Sequence, residues 1–78
     1  MNATSTYNTE IRGIEFINSS IMFMYLDNDR TFIVPLNKFK DIEKLTPEQR
    51  KEYEIIDGNY LSFLAIDEIY SLNDLIGI

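Results

Sequence analysis

The sequence predicts an α+β fold: a small antiparallel β-sheet in β-β-β-α-β-β order, with short helices packed on one face. Three observations predict it. Runs of β-branched, aromatic and other apolar residues alternate with turn clusters through the first half. Leu36, Phe39 and Ile42 then recur at helical spacing, and Thr46-Pro47-Glu48-Gln49 carries a helix-start signature. Finally, Asp57-Gly58 separates two further apolar runs, as a hairpin turn does.

The first strand is expected over residues 11–17, with Ile14 and Phe16 on one face beside Arg12. Gly13 weakens this strand or marks a bulge. After the turn cluster Asn18-Ser19-Ser20, residues 21–26 form the second strand. Asp27-Asn28-Asp29 is the next turn and residues 31–34 the third strand. Pro35 ends that ladder because it has no N–H to donate. A short amphipathic helix follows, with Lys38, Lys40, Asp41 and Glu43 between its apolar positions.

Thr46 suits the N-cap of a second helix, Pro47 its first position, and Gln49 the residue that reaches back to close a capping box. This helix runs through Glu52 or Tyr53. Glu54-Ile55-Ile56 enters the hairpin and residues 60–66 return, with Leu61, Phe63 and Ala65 sharing a face. Ser71 caps a last helical turn that Gly77 terminates. The expected core comprises Ile14, Phe16, Phe23, Phe32, Val34, Leu36, Phe39, Ile42, Leu45, Ile55, Leu61 and Phe63.

The chain of 78 residues has room for one core, so residues 11–78 are read as a single domain behind a loose polar arm, residues 1–10. Hydrophobic content of 45% and charged content of 26% argue for a folded domain over a disordered one. The arm resembles neither a signal nor a transit peptide, and the longest apolar run, residues 21–26, is too short to span a bilayer.

The chain contains no cysteine and no histidine. Disulfides and thiolate metal sites are therefore excluded, and a cytoplasmic location is expected. The usual general base is missing too, so Ser19, Ser20, Ser62 and Ser71 have no histidine to activate them. The three glycines, Gly13, Gly58 and Gly77, make no phosphate loop. Asp27-Asn28-Asp29 begins like a calcium loop, but Phe32 stands where that loop needs glycine and Lys38 where it needs glutamate. A charged hairpin turn accounts for these residues. Asp67, Glu68, Glu52 and Glu54 read as a solvated acidic rim. No enzyme activity and no cofactor is expected.

Net charge is −6 and unevenly spread. Residues 1–37 hold four acids and two bases, residues 38–51 three acids and five bases, and residues 52–78 six acids and no base. The acidic final third argues against direct nucleic-acid binding and suits a basic protein partner.

In their order and spacing several segments resemble a known family. They are residues 29–36 (Asp-Arg-Thr-Phe-Ile-Val-Pro-Leu), Leu45-Thr46-Pro47-Glu48-Gln49-Arg50, Ile56-Asp57-Gly58, Ile66-Asp67-Glu68, Ser71 and Leu75-Ile76-Gly77. Together they are similar to the small bacterial family known as domain of unknown function 2442. The resemblance implies an α+β fold of bacterial or phage origin and no established activity. It also implies kinship with members that look like the partner half of two-gene toxin–antitoxin pairs. One departure is clear: Phe63-Leu64 stand where the family usually shows a Trp-Pro pair.

The most informative feature is the second strand, which is apolar on both faces: Ile21, Phe23 and Tyr25 against Met22, Met24 and Leu26. A half-exposed strand alternates apolar with polar. One face takes the core. The other is covered by helices of the domain, by another chain docked on the adaptable side chains of Met22 and Met24, or by self-association through the sheet edge. Tyr25 and Tyr60 would anchor such contacts. Arg50 offers a fork for a partner carboxylate or for a local acid. The candidate partner-binding residues are thus Met22, Met24, Tyr25, Arg50, Tyr60, Asp67 and Glu68. The expected function is a protein-binding module without catalysis, antitoxin-like, whose partner is a small basic toxin-like protein. The alternatives are a phage-borne acidic inhibitor of a nucleic-acid-handling complex and a structural homodimer.

Overall fold

The computed structural model describes residues 9–78. The strands β1 (Ile11–Phe16), β2 (Ile21–Leu26) and β3 (Thr31–Pro35) form one antiparallel sheet in the order β1-β2-β3. A 3-10 turn (Leu36–Lys38), α1 (Lys40–Glu43) and α2 (Pro47–Arg50) lead to β4 (Tyr53–Ile56), β5 (Tyr60–Phe63) and β6 (Ile69–Ser71). These make a second antiparallel sheet in the order β4-β5-β6, and α3 (Leu72–Ile76) closes the chain. The α+β class is as expected. The strands divide between two sheets, and β6 is an addition, three residues being too few for alternation to register in a sequence.

Local chemistry explains the turns. Asp57 and Gly58 take φ of 54° and 71°, the two positive angles of a type I′ turn, and Asn59 N–H donates to the Ile56 carbonyl at 3.0 Å. Asp29 sits at φ 67° in the β2–β3 turn, where Arg30 N–H bonds the Asn28 side chain at 3.1 Å. Helix α2 starts with the complete capping box: Thr46 N–H donates to Gln49 Oε1 at 2.9 Å and Gln49 N–H to Thr46 Oγ1 at 3.2 Å. It ends at Arg50, shorter than expected, because Tyr53 already belongs to β4. Ser71 and Asp74 repeat the box on α3, and Gly77 ends it at φ 83°.

One core joins both sheets. Met22, Met24, Val34, Leu36, Ile42 and Leu61 are fully buried, with Ile11, Leu26, Leu45, Phe63, Tyr70 and Leu75 nearly so. Ile14, Phe16, Phe39 and Ile55 pack against it while partly exposed. Two expected core members are misplaced: Phe23 lies half-buried on the opposite face of β2, and Phe32 is 39% exposed. Register explains Phe23; Phe32, opposite Met24, is on the core side of the sheet but on its edge strand, where one flank is left open. Phe16 pairs with Met22 and Met22 with Val34, so Met22 and Met24 share the inward face with Ile14 and Phe16. Met22 and Met24 therefore fill the core and offer no surface to a partner.

Arg12 is a bulge. Ile11 opposes Leu26 while Gly13 opposes Tyr25, so one extra residue stands on β1. The bulge returns Ile11 to the core face, where it is 4% exposed, and leaves Arg12 in solvent.

Two links tie the sheets. Ile11 N–H donates to the Gly58 carbonyl at 2.7 Å, and the Glu10 side chain lies over Gly58. Glu10 is itself held by the β2–β3 turn: its N–H donates to Asp27 Oδ1 at 3.1 Å, and its carbonyl accepts from Asp27 N–H at 3.0 Å. Of the expected loose arm, Glu10 belongs to the folded domain, and residues 1–8 lie outside the described residues.

Candidate functional site

The outward face of the first sheet leaves large apolar side chains open. Its rows follow from the register: Glu15–Phe23–Ile33, Gly13–Tyr25–Thr31, and Ile17–Ile21–Pro35. Ile33 is 63% exposed and Ile17 45% exposed, while Ile21, Phe23 and Tyr25 are half-buried by their strand neighbours. Phe23 and Tyr25 meet edge to face with ring centres 6.4 Å apart. Tyr25 donates its phenolic proton to Glu15, and this bond pushes the Tyr25 pKa up. Four large apolar side chains and a proline thus surround one tyrosine–glutamate pair. Such a face is suited to burial against another surface.

Of the expected partner-binding residues, Tyr25 alone lies on this face. Phe23, Ile33 and Ile17 were missed. The signal for them is present in the sequence: the short turns fix the β1–β2–β3 register, and that register sets Glu15 beside Phe23 and Thr31 beside Tyr25. Polar neighbours mark that face as the wet one.

Arg50 is committed within the chain. Its Nη1 donates to the Asn18 carbonyl at 3.1 Å, and its Nη2 donates to the carbonyls of Ser19 at 3.1 Å and Glu43 at 3.2 Å. Its guanidinium carbon lies 4.6 Å from the centre of the Phe16 ring. Its Nε is buried with no hydrogen-bond partner among the described residues. Arg50 thus fastens α2 and the end of α1 to the β1–β2 turn, which leaves no fork free for a partner carboxylate. An apolar concavity of about 480 Å³ opens beside it, with Phe16, Leu45 and Pro47 in its wall.

Asp67 and Glu68 do not act as a pair. Asp67 lines a concavity with Lys44 and Gln49, whereas Glu68 lines another with Lys38, Lys40 and Tyr70. Asp41 lines both concavities and Asp74 the second, so each holds one more acid than base. Tyr60 is 44% exposed on the outer face of the second sheet, away from Tyr25. Tyr70 is 5% exposed and meets Phe39 edge to face at 5.8 Å. Burial first, then the nearby charges of Glu68 and Asp41, push its pKa up to about 12. Among the described residues no cluster of acids could hold a metal ion, and no helix is long and apolar enough to cross a membrane.

The fold and this surface define a small α+β domain of two three-stranded meanders whose first sheet carries an apolar outward face. The chain belongs to the family described as Protein of unknown function (DUF2442), whose model matches residues 11–77. No curated protein and no solved structure matches it significantly.

Proposed function

We propose that the chain is a non-catalytic protein-binding module that docks a partner on the outward face of β1–β2–β3. In this reading it is an antitoxin-like component of a two-gene pair, acts in the cytoplasm, and neutralises a small basic protein by covering its surface. One observation carries the proposal: Ile17, Ile21, Phe23, Tyr25 and Ile33 share the outward face of this sheet, and Ile17 and Ile33 on it are 45% and 63% exposed. Full burial of an isoleucine or phenylalanine side chain is worth roughly 1.5–3 kcal/mol, so a partner covering this face gains substantially. The absence of histidine and cysteine supports a role without chemistry, and the family resemblance supports the antitoxin-like form.

The test is affinity purification of the tagged chain from its native host, alongside Phe23→Lys. One small basic protein is expected at equal stoichiometry with the parent chain, and its loss with Phe23→Lys at unchanged circular dichroism. Equal recovery with folded Phe23→Lys removes this face from the interface.

A further inference from the structure

The edge of the first sheet supplies a second contact. β3 is an edge strand, and its ladder to β2 is bracketed by Leu26 N–H to the Arg30 carbonyl at 2.9 Å and Leu36 N–H to the Ser20 carbonyl at 2.8 Å. Antiparallel strands alternate the direction of their backbone groups. Arg30, Phe32, Val34 and Leu36 therefore turn toward β2, and Thr31, Ile33 and Pro35 turn outward. No hydrogen bond from another described segment reaches the outward groups of Thr31 or Ile33. Edge strands of monomers are ordinarily blunted by charged side chains or by proline. Residues 31–36 carry no charge, and Pro35 blunts only the far end of β3, whereas β4, an edge of the second sheet, carries exposed Glu54.

We propose that two copies of this chain pair β3 with β3 in an antiparallel two-fold centred on Phe32, merging two three-stranded sheets into one of six. The pattern of donors and acceptors is self-complementary only in a narrow way. Centred on Phe32, Thr31 of each copy faces Ile33 of the other, and each such pair exchanges two N–H···O=C bonds. Centring on Ile33 instead sets Pro35 against Thr31, and proline has no N–H to return. The Phe32 register also accounts for an aromatic side chain that points to the core side of the sheet and yet is 39% exposed. In a non-hydrogen-bonded antiparallel pair the Cα atoms approach to roughly 4.5 Å, so the two Phe32 rings cover each other. Electrostatics favour this edge over others: the chain carries −6 overall, but between Asp29 and Lys38 the only bases are Arg30 and Lys38 and the only acid is Asp29. In space Asp74 of α3 borders the same edge beside Lys38, so self-contact sets one acid and one base of each copy near the junction.

This contact is independent of the partner-docking face, and the two fail separately. Light scattering at tens of micromolar should give twice the chain mass for the parent and for Phe23→Lys. Phe32→Lys places two ammonium groups across the two-fold and should weaken dimerisation at least tenfold while leaving partner capture intact. Thr31→Pro removes one outward donor at the first residue of an edge strand, a position that tolerates proline, and should weaken dimerisation too. In the parent chain, amide exchange at Thr31 and Ile33 should slow as concentration rises. A monomer at all concentrations, or a dimer that survives Phe32→Lys and Thr31→Pro with unprotected Thr31 and Ile33 amides, overturns the proposal.

Discussion

The guanidinium carbon of Arg50 stands 4.6 Å above the centre of the Phe16 ring, while its two terminal nitrogens hold the carbonyls of Asn18, Ser19 and Glu43. One side chain at the end of a four-residue helix therefore fixes that helix to a β-turn more than 30 positions earlier. The capping box starts the helix, and Arg50 decides where it sits.

Arg50→Lys is expected to destabilise the fold by about 1–3 kcal/mol, measured by urea unfolding. A lysine keeps the charge but not the planar fork, so it cannot reach three carbonyls and stack on Phe16 together. Were the role of Arg50 only its charge, the lysine variant would match the parent.

Gly58 is irreplaceable for two separable reasons. Its φ is +71°, and a Cβ there would lie 2.7 Å from the Cβ, Cγ and Cδ of Glu10. Gly58→Ala should cost roughly 2–4 kcal/mol. In a Glu10→Gly background the steric part disappears, and the cost should fall to the backbone part, about 1–2 kcal/mol. A double-mutant cycle in urea measures the coupling, and additive costs would show that Glu10 does not press on Gly58.

Tyr70 makes stability depend on alkaline pH. Its pKa in the fold is about 12, above the ordinary 10.0. Below the ordinary value both folded and unfolded chains keep the proton, and its stabilising effect is fully present. Between the two values the unfolded chain releases the proton first, so stability falls as pH rises and is lost through the folded pKa. The size is of order 2–3 kcal/mol. Tyr70→Phe should flatten this part of the curve between pH 10 and 12 relative to the parent. In the folded parent, absorbance titration should find one of the five tyrosines ionising near pH 12.

The turns, the Thr46 capping box, the Ser71 N-cap and the order of the first five strands are legible because each rests on neighbours in sequence. Thr46 and Gln49 need only each other, and Asp57-Gly58 needs only its own φ angles. The two faces of β2 were harder. Met22 and Phe23 are equally apolar, so composition cannot say which one the core receives; the cross-strand neighbours Val34 and Glu15 decide it. Ile11 joined the core through the Arg12 bulge, which shifts the alternation on which a strand reading depends. Arg50 reads in the sequence as a fork for a partner carboxylate or a local acid, but its partners are backbone carbonyls, which leave no mark in the pattern of side chains.

Each sheet is a meander in which every strand pairs with its neighbour in sequence, yet the core between them is shared. A ribosome therefore releases the two halves in turn. Once Pro35 has emerged, β1–β2–β3 can close its ladders from local contacts alone. Its inward side chains Met22, Met24 and Val34 then wait for Leu61, Phe63 and Tyr70, some 25–35 residues behind on the growing chain. At synthesis rates of about 5–20 residues per second, that wait is on the order of seconds. During it the nascent first half is apolar on both sides of its sheet, the kind of transient apolar exposure that favours aggregation over folding.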